Sequence, residues 1–313
     1  MKPPEQVRTP RPSSPQDGTA VANMPGFRHR YADVNGTQVH YVLGGSGPLV
    51  VLLHGFPYTW ALWNRLMPLL VEAGFTVMAP DLRGLGDSMK TESGYDKANV
   101  AEDVRQVVQL MEFRTIHLVG TDIGAMVAFA YASRHPAEVD RLVFAESLIP
   151  GFGLEDMMNP ATGGYWHFGF HAQVEVASML TEGREADYLL PWYSMMSTSP
   201  AEIVDAQSRF LPYYAAAGGI RAGFKHYQTM VHDGQENRRT FKAKLPMPIL
   251  VLSGERGIPQ AQTLYCVEQI GDTVEADLVP DAGHTFASDN PAWVAERMTR
   301  FFGSGPQDIS EES

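Results

Sequence analysis

The sequence has one cysteine, Cys266, among its 313 residues. A lone cysteine excludes an intrachain disulfide, and it cannot supply the cysteine ligands of a structural zinc site or of an iron–sulfur cluster. This composition fits a reducing compartment. We therefore expect chemistry carried by oxygen and nitrogen side chains, with no metal and no cofactor.

Long apolar runs are absent as well. No stretch of about 18 apolar residues occurs, so we expect no membrane-spanning helix. Residues 1–26 hold six of the 22 prolines and lack the apolar core of a secretory signal. They are predicted to form a disordered lead-in to a cytoplasmic protein, and residues 304–313 are predicted to form a flexible tail.

Positive charge is scarce. The chain has 24 Lys+Arg against 36 Asp+Glu, which gives a formal net charge of −12, and it has no dense cluster of basic residues. Such a surface disfavours nucleic acid and anionic membranes as partners. It also gives no help to an anionic ligand, so the expected partner is an uncharged small molecule.

Strand-like and helix-like segments alternate along most of the chain. An antiparallel hairpin between Tyr31 and Leu43 is predicted by an alternating pattern and by a turn at Asn35 and Gly36. Apolar runs typical of buried parallel strands follow, at 48–53, 75–79, 115–119, 141–145 and 248–252. Amphipathic segments such as 99–111 and 123–133 lie between them. This order predicts an α/β fold with a doubly wound, mostly parallel sheet.

The segment 151–240 interrupts this alternation. It is rich in aromatic residues and methionine and has no strand-like run. We interpret it as a helical cap inserted into a core formed by residues 27–150 and 241–303. Such a cap would cover the carboxyl edge of the sheet, where open α/β sheets bind ligands.

A Gly-x-Asp-x-Gly motif follows the apolar run at 115–119, with Asp122 at its centre between Gly120 and Gly124. After a strand and before a small-residue helix, this spacing is typical of a nucleophile elbow, whose glycines permit a strained turn and close packing. The alternative is that Asp122 only caps the following helix.

Two further motifs favour the catalytic interpretation. The sequence His54-Gly55-Phe56-Pro57 ends a buried strand, at the place where a second oxyanion-hole N–H is expected. The backbone N–H groups of Phe56 and Ile123 would then form the hole. His284 follows the last predicted strand, late in the chain, which is the place of the general base in a nucleophile–acid–histidine order.

From about residue 27 to residue 302 the chain resembles the α/β-hydrolase superfamily, in particular its epoxide hydrolase and dehalogenase branch. The resemblance rests on the loop 54–57, the segment 81–88 with the sequence DLRGLGDS, the elbow around Asp122 and the late His284. An aspartate nucleophile at an sp³ carbon forms an alkyl-enzyme ester. Water activated by His284 would then cleave that ester.

The acid that orients His284 has three candidates. Many family members carry it about three residues beyond a glycine after the seventh strand, but here that slot holds Gly257. Glu146, at the end of the preceding strand, is favoured, followed by Glu255 and then Asp281. The favoured position is similar to that of haloalkane and haloacetate dehalogenases and of epoxide hydrolases of the bacterial cystic fibrosis channel inhibitory factor type.

The residue after the nucleophile is Ile123, whereas haloalkane dehalogenases have Trp there and haloacetate dehalogenases have Arg. In the cap, His167 and Tyr227 match the donor pair of the channel-inhibitory-factor type. Haloacetate dehalogenases have a similar pair, and both residues could instead belong to the cap core. The leading hypothesis is hydrolysis of an uncharged epoxide by water to a vicinal diol.

Two alternatives to epoxide hydrolysis remain. One is a haloacetate or haloalkane dehalogenase with the same nucleophile, and the other is a non-catalytic interaction protein. Exposed cap helices commonly mediate dimers in similar proteins, which is compatible with a homodimer.

Overall fold

The computed structural model describes residues 13–303, which contain one eight-stranded sheet with the strand order β1-β2-β4-β3-β5-β6-β7-β8. The strands are β1 Arg28–Val34, β2 Thr37–Gly45, β3 Leu49–Leu53, β4 Thr76–Pro80, β5 Ile116–Thr121, β6 Val139–Ala145, β7 Ile249–Gly254 and β8 Val274–Val279. β2 is antiparallel to both of its neighbours, and the remaining pairs are parallel. This confirms the predicted mostly parallel sheet.

The β1–β2 hairpin lies at one edge of the sheet. Asn35 and Gly36 form its turn with φ of 46° and 71°, the left-handed conformation that an Asn-Gly turn supplies and that matches strand twist. The central strands β3, β4, β5 and β7 are buried along their whole length. Continuous apolar runs are therefore found where helices cover both faces of the sheet.

The described residues form thirteen α-helices. They are α1 Leu66–Glu72, α2 Lys97–Leu110, α3 Ile123–Arg134, α4 Trp166–Ala172, α5 Val174–Thr181, α6 Glu185–Met196, α7 Pro200–Arg209, α8 Leu211–Ala215, α9 Gly219–Gln228, α10 Met230–Thr240, α11 Gln260–Val267, α12 Phe286–Asp289 and α13 Pro291–Phe302. α2 begins where the side chain of Asp96 accepts a hydrogen bond from the N–H of Asn99 at 2.9 Å. None of these helices is long and apolar enough to cross a bilayer.

The helices α4–α10 lie between β6 and β7 in the sequence, in the segment expected to form the cap. α9 packs against α4, α5 and α8. The buried side chains of α9 include Phe224 and Tyr227. The cap therefore brings aromatic side chains over the carboxyl edge of the sheet.

The ordered chain begins before residue 27. Residues 13–26, expected to belong to a disordered lead-in, pack against the first hairpin. Val21 and Met24 are buried, and the N–H of Gly18 donates to the carbonyl of His29 at 2.8 Å. A high proline content does not prevent packing when apolar side chains lie between the prolines. Residues 1–12 of the lead-in and the tail 304–313 lie outside the described residues.

Candidate active site

Asp122 lies between β5 and α3, in a backbone conformation with φ of 53° and ψ of −128°. A non-glycine residue is strained there. The flanking glycines are required by packing, because a Cβ on Gly124 would lie 2.2 Å from the carbonyl oxygen of Leu53 and one on Gly120 would lie 2.4 Å from that of Gly124. Asp122 occupies the N-cap position of α3, but its side chain makes no capping hydrogen bond, so the carboxylate is not engaged by the helix.

The loop after β3 approaches Asp122 from the side. The N–H of Phe56 donates to Asp122 Oδ1 at 2.9 Å. A Cβ on Gly55 would lie 2.2 Å from the same oxygen, so only glycine leaves room for the carboxylate. Ile123 is the first residue of α3, and its N–H therefore has no acceptor within the helix.

His54 holds this loop in place from within the core. Its Nδ1 donates to the Gly55 carbonyl at 2.9 Å, and its Nε2 accepts from the N–H of Leu82 at 3.1 Å. Burial lowers the pKa of His54, so the ring is neutral. Phe56 is joined to Pro57 by a cis peptide bond. His54 thus holds the loop whose Phe56 N–H binds Asp122.

His284 lies opposite the loop. Its Nε2 is 3.7 Å from Asp122 Oδ2, and its Nδ1 is 2.9 Å from Glu146 Oε2. A carboxylate only accepts hydrogen bonds, so Nδ1 carries a proton, and in the neutral ring Nε2 has a free lone pair. Nε2 is buried and has no hydrogen-bond partner among residues 13–303. That lone pair is available to a water molecule or a substrate.

Glu146 directly follows β6 and is fully buried. Its carboxylate accepts hydrogen bonds from the N–H groups of Gly254 at 2.7 Å and Ile258 at 2.8 Å, in addition to the bond from His284. A Cβ on Gly257 would lie 2.1 Å from Glu146 Oε1. The glycine after β7 therefore provides the space that the carboxylate from β6 fills.

The other two candidate acids lie elsewhere. Glu255 is exposed, and its Oε2 accepts a hydrogen bond from the N–H of Asp281 at 3.0 Å. Asp281 is exposed as well. The hydrogen bonds of His284 within residues 13–303 include neither of them. The geometry favours Glu146 as the partner of His284.

Two opposing effects act on the pKa of His284. Burial lowers the pKa of its imidazole, but the hydrogen bond and charge of Glu146, together with the charges of Asp122 and Asp289, raise it. The pKa of His284 is raised overall from the ordinary value of 6.5. Such a ring is a stronger base than an unperturbed histidine.

A cavity of about 260 Å³ lies above these groups and is lined by Asp122, His284 and the two cap residues His167 and Tyr227. The rings of His167, on α4, and Tyr227, on α9, meet edge to face at a centroid distance of 5.8 Å. Most of the remaining lining is apolar, including Met126, Leu148, Phe168, Trp192, Met195 and Met196. The structure thus brings four of the five predicted side chains into the lining of one pocket, and the fifth, Glu146, contacts His284 just behind it.

The two cap side chains, His167 and Tyr227, are uncharged at neutral pH. Burial, and then the charge of His284, lowers the pKa of His167 to about 4. Burial, followed by the charge of Asp122, raises the pKa of Tyr227 well above its ordinary value. Each group therefore carries a proton that it can donate in a hydrogen bond.

A family profile described as alpha/beta hydrolase fold matches residues 48–291. The chain belongs to the α/β hydrolase family. The soluble epoxide hydrolase of Corynebacterium sp. (strain C12) is 31% identical over 280 residues, which span 88% of this chain and 96% of that protein. A fluoroacetate dehalogenase of Burkholderia sp. is 37% identical over 154 residues, 47% of this chain and 50% of that protein. The protein lies in the epoxide hydrolase branch of this family and is therefore a hydrolytic enzyme.

Solved structures agree with this placement. Cfl2 of Burkholderia cenocepacia superposes with a TM-score of 0.81 at 31% identity, covering 90% of this hydrolase and 98% of that chain. The epoxide hydrolase CorEH superposes with a TM-score of 0.80 at 30% identity, covering 88% and 98%. The α/β-hydrolase fold predicted from the sequence is confirmed.

The structure adds two residues to the site of this hydrolase. The hydroxyl of Ser147 donates to the carbonyl of Asp122 at 2.7 Å and so holds the strained elbow. Its position directly after Glu146 at the end of β6 was the available signal. Arg256 also lines the cavity. The prediction of an uncharged ligand rested on the net charge of −12 and on the absence of arginine after Asp122, and the sequence gives no sign that a loop 134 positions later reaches the pocket.

One group of side chains among residues 13–303 has metal-ligand chemistry. Ligand atoms of His40, Asp81 and Asp87 lie within 4.8 Å of one another. His40 Nδ1 already donates to Asp81 Oδ2 at 2.7 Å, and Asp87 Oδ1 accepts from Ser14 Oγ at 2.7 Å. Asp81 Oδ1 accepts from the N–H of Trp60 at 2.8 Å. These ligand atoms are engaged in hydrogen bonds that join the hairpin and the segment before it to the loops after β3 and β4.

Proposed function

We propose that this hydrolase opens epoxides to vicinal diols through a covalent ester on Asp122. The observation that carries the proposal is a carboxylate at the elbow, held at 2.9 Å by the N–H of Phe56 and lying 3.7 Å from the free Nε2 of His284. Two neutral hydrogen-bond donors, His167 and Tyr227, line the same cavity. The likeness to the Corynebacterium protein named soluble epoxide hydrolase supports the same reaction.

In the first step a carboxylate oxygen of Asp122 attacks an epoxide carbon. A new C–O bond forms, and the C–O bond of the ring breaks, so its electron pair moves to the departing oxygen. Tyr227 and His167 donate hydrogen bonds to that oxygen, because an alkoxide needs a donor or an acid as it leaves. Oδ1 is occupied by the N–H of Phe56, which leaves Oδ2 as the attacking atom.

In the second step His284 accepts a proton from water through Nε2, and the resulting hydroxide adds to the ester carbonyl carbon. The negative oxygen that develops is stabilised by the N–H groups of Phe56 and Ile123. Removal of one such donor typically costs about 3–4 kcal/mol of transition-state stabilisation. The intermediate collapses, and the oxygen released from the ester takes the proton held by His284. The second proton of the water, left on the Asp122 carboxyl, passes to the alkoxide formed in the first step, so the diol leaves and the carboxylate of Asp122 is restored.

The apolar lining of the cavity favours a substrate with an apolar body. A polar end of the substrate would contact the guanidinium of Arg256, which also lines the cavity. We retain the proposal that the epoxide itself is uncharged, because Arg256 is exposed and position 123 holds isoleucine where haloacetate dehalogenases have arginine.

Dehalogenation of a haloacetate is the second candidate. The half-chain likeness to a fluoroacetate dehalogenase and the presence of Arg256 in the lining favour it. Ile123 after the nucleophile argues against it, because an isoleucine cannot bind a carboxylate or a halide. Halide release from haloacetate faster than turnover of every epoxide tested would replace our proposal by this one.

A single turnover in ¹⁸O-water tests the ester mechanism. Water attacks the ester carbonyl in our scheme, so ¹⁸O should enter the carboxylate of Asp122 first, as read by peptide mass spectrometry, and the diol only in later turnovers. Direct appearance of ¹⁸O in the diol would refute the ester. Asp122→Ala should abolish turnover, whereas the matched substitution of an exposed acid, Glu255→Gln, should leave turnover within about threefold.

A further inference from the structure

Lys97 is a lysine at the start of α2 that is only 1% exposed. Its Nζ donates to the carbonyl of His226 at 2.6 Å, to Thr229 Oγ1 at 3.0 Å and to Asp233 Oδ2 at 3.0 Å. All three acceptors belong to the cap, whereas Lys97 belongs to the core. Lysine is almost never fully buried unless it is paired. The ion pair with Asp233 and the two further hydrogen bonds of Lys97 therefore join the core to the cap.

The backbone contributes to the same connection. The N–H of Lys97 donates to Asp233 Oδ1 at 3.1 Å, so one carboxylate binds both the main chain and the side chain of Lys97. The carbonyl of His226 lies in the last turn of α9, where carbonyls lack partners within the helix and a cation is favourable. Lys97 thus closes the end of α9 from outside the cap.

His226 makes a second tie to the core. It is fully buried, and its Nε2 donates to the carbonyl of Arg83 at 2.9 Å. Arg83 is itself held by two hydrogen bonds to the buried Asp103. Burial and the charge of Lys97 lower the pKa of His226 to about 3, so the ring is neutral. We call Lys97, His226 and Asp233 together the cap anchor.

His226, one of the three residues of the cap anchor, directly precedes Tyr227 in α9. The ring of Tyr227 packs edge to face on Phe56, the residue whose N–H binds Asp122, at a centroid distance of 5.7 Å. The position of the Tyr227 ring is therefore set by its contact with Phe56 of the core, and its orientation is set by α9. Catalytic groups must be held to within about 0.5 Å of the productive geometry, and a misplacement of about 1 Å can cost about 100-fold in rate.

We propose that Lys97 and His226 are positioning residues, which hold α9 to the core so that the hydroxyl of Tyr227 meets the departing epoxide oxygen. This inference rests on the proposed function. It assigns the cap anchor to the ring-opening step and leaves ester hydrolysis, which depends on His284 and the oxyanion hole, unaffected.

The test compares the two chemical steps by rapid quench with a single epoxide. His226→Leu removes the hydrogen bond to Arg83, and His226→Gln retains an N–H donor at this place. We expect His226→Leu to slow ester formation at least 10-fold while ester hydrolysis changes less than twofold, and His226→Gln to recover much of the loss. Equal losses in both steps would overturn the proposal.

The ion pair is tested by the double substitution Lys97→Met with Asp233→Leu, which leaves no unpaired buried charge. A matched control is Arg297→Met, which breaks an ion pair of α13 with Glu275 and Asp277 at the sheet edge, outside the site. The double variant should slow ester formation selectively, and the control should change neither step by more than about twofold.

A Tyr227→Phe background separates positioning from general damage. If the anchor acts through the hydroxyl of Tyr227, adding His226→Leu to Tyr227→Phe should slow ester formation by less than twofold. Full multiplication of the two losses would mean that the anchor acts by another route and would overturn the proposal.

A readout without turnover keeps this inference distinct from the proposed function. The chain has 12 tyrosines, and after incorporation of 3-fluorotyrosine the ¹⁹F signal of Tyr227 is identified by its loss in Tyr227→Phe. We expect one narrow signal that broadens or shifts in His226→Leu. If the wild type forms no ester with any epoxide, the proposed function fails, and an unchanged ¹⁹F signal would independently reject the anchor.

Discussion

Replacing Glu146 by glutamine should arrest the enzyme after the first chemical step. The carboxylate accepts three hydrogen bonds, from His284 and from the N–H groups of Gly254 and Ile258. A glutamine has one carbonyl oxygen and one NH₂ group, so at least one of these donors would face another donor. A buried unsatisfied donor costs about 1–3 kcal/mol.

The larger effect concerns the tautomer of His284. Without a carboxylate beside Nδ1, the ring can place its proton on Nε2 and lose the lone pair that activates water. In a serine-protease triad, the corresponding change of acid to amide lowers turnover by about 10⁴-fold. We expect Glu146→Gln to slow ester hydrolysis by about 10³–10⁴-fold, while attack by Asp122 is much less affected.

The assay is intact-protein mass spectrometry after mixing with excess epoxide. Glu146→Gln should accumulate protein that is heavier by one substrate molecule, whereas the wild type and the control Glu255→Gln should show little. The reasoning would be refuted if Glu146→Gln cleaved its ester within about threefold of the wild-type rate. It would equally be refuted if Glu255→Gln trapped the ester and Glu146→Gln did not.

Four further results are expected. Because the pKa of His284 is raised, its ring stays protonated to higher pH than an ordinary histidine, so the rate of ester hydrolysis should rise with pH through an inflection above 6.5. Gly257→Ala should place a Cβ against Glu146 and lower the free energy of unfolding by about 1–3 kcal/mol, measured by urea denaturation, with a 10-fold or greater loss of turnover. Tyr227→Phe should slow ester formation about 10-fold and ester hydrolysis less than twofold in rapid-quench experiments, and equal losses would contradict its role as a donor. Arg256→Met should leave kcat/KM for an uncharged epoxide within about threefold, and a 10-fold loss would show that the substrate carries a group bound by the guanidinium.

The parts of the site that are local in sequence could be predicted without coordinates. The strained elbow is encoded by two glycines beside Asp122, and the loop at Phe56 is encoded by its neighbours, so each motif contains its own geometry. Glu146 could be ranked first because parallel strands end at one edge of the sheet, which places the end of β6 beside the end of β7. Continuous apolar runs sufficed to predict the buried strands, because helices cover both faces of the sheet.

Contacts between the cap and the core could not be predicted in this way. The apolar pattern of α9 shows that the helix has a buried face, but it does not say which core residue meets that face. Lys97 is an ordinary polar residue in the sequence, and only the fold reveals that it is buried. The burial of Val21 and Met24 in a proline-rich segment could likewise not be predicted, because isolated apolar residues give no periodic signal.

The space left by the absent side chain of Gly257 has a consequence for how such triads diverge. A Cβ at this position would lie 2.1 Å from one carboxylate oxygen of Glu146 and 2.4 Å from the other. An acid at position 257 and a glutamate at position 146 therefore exclude each other. A protein engineer who wishes to relocate the acid must exchange both residues together, since either substitution alone leaves His284 with a crowded partner or with none.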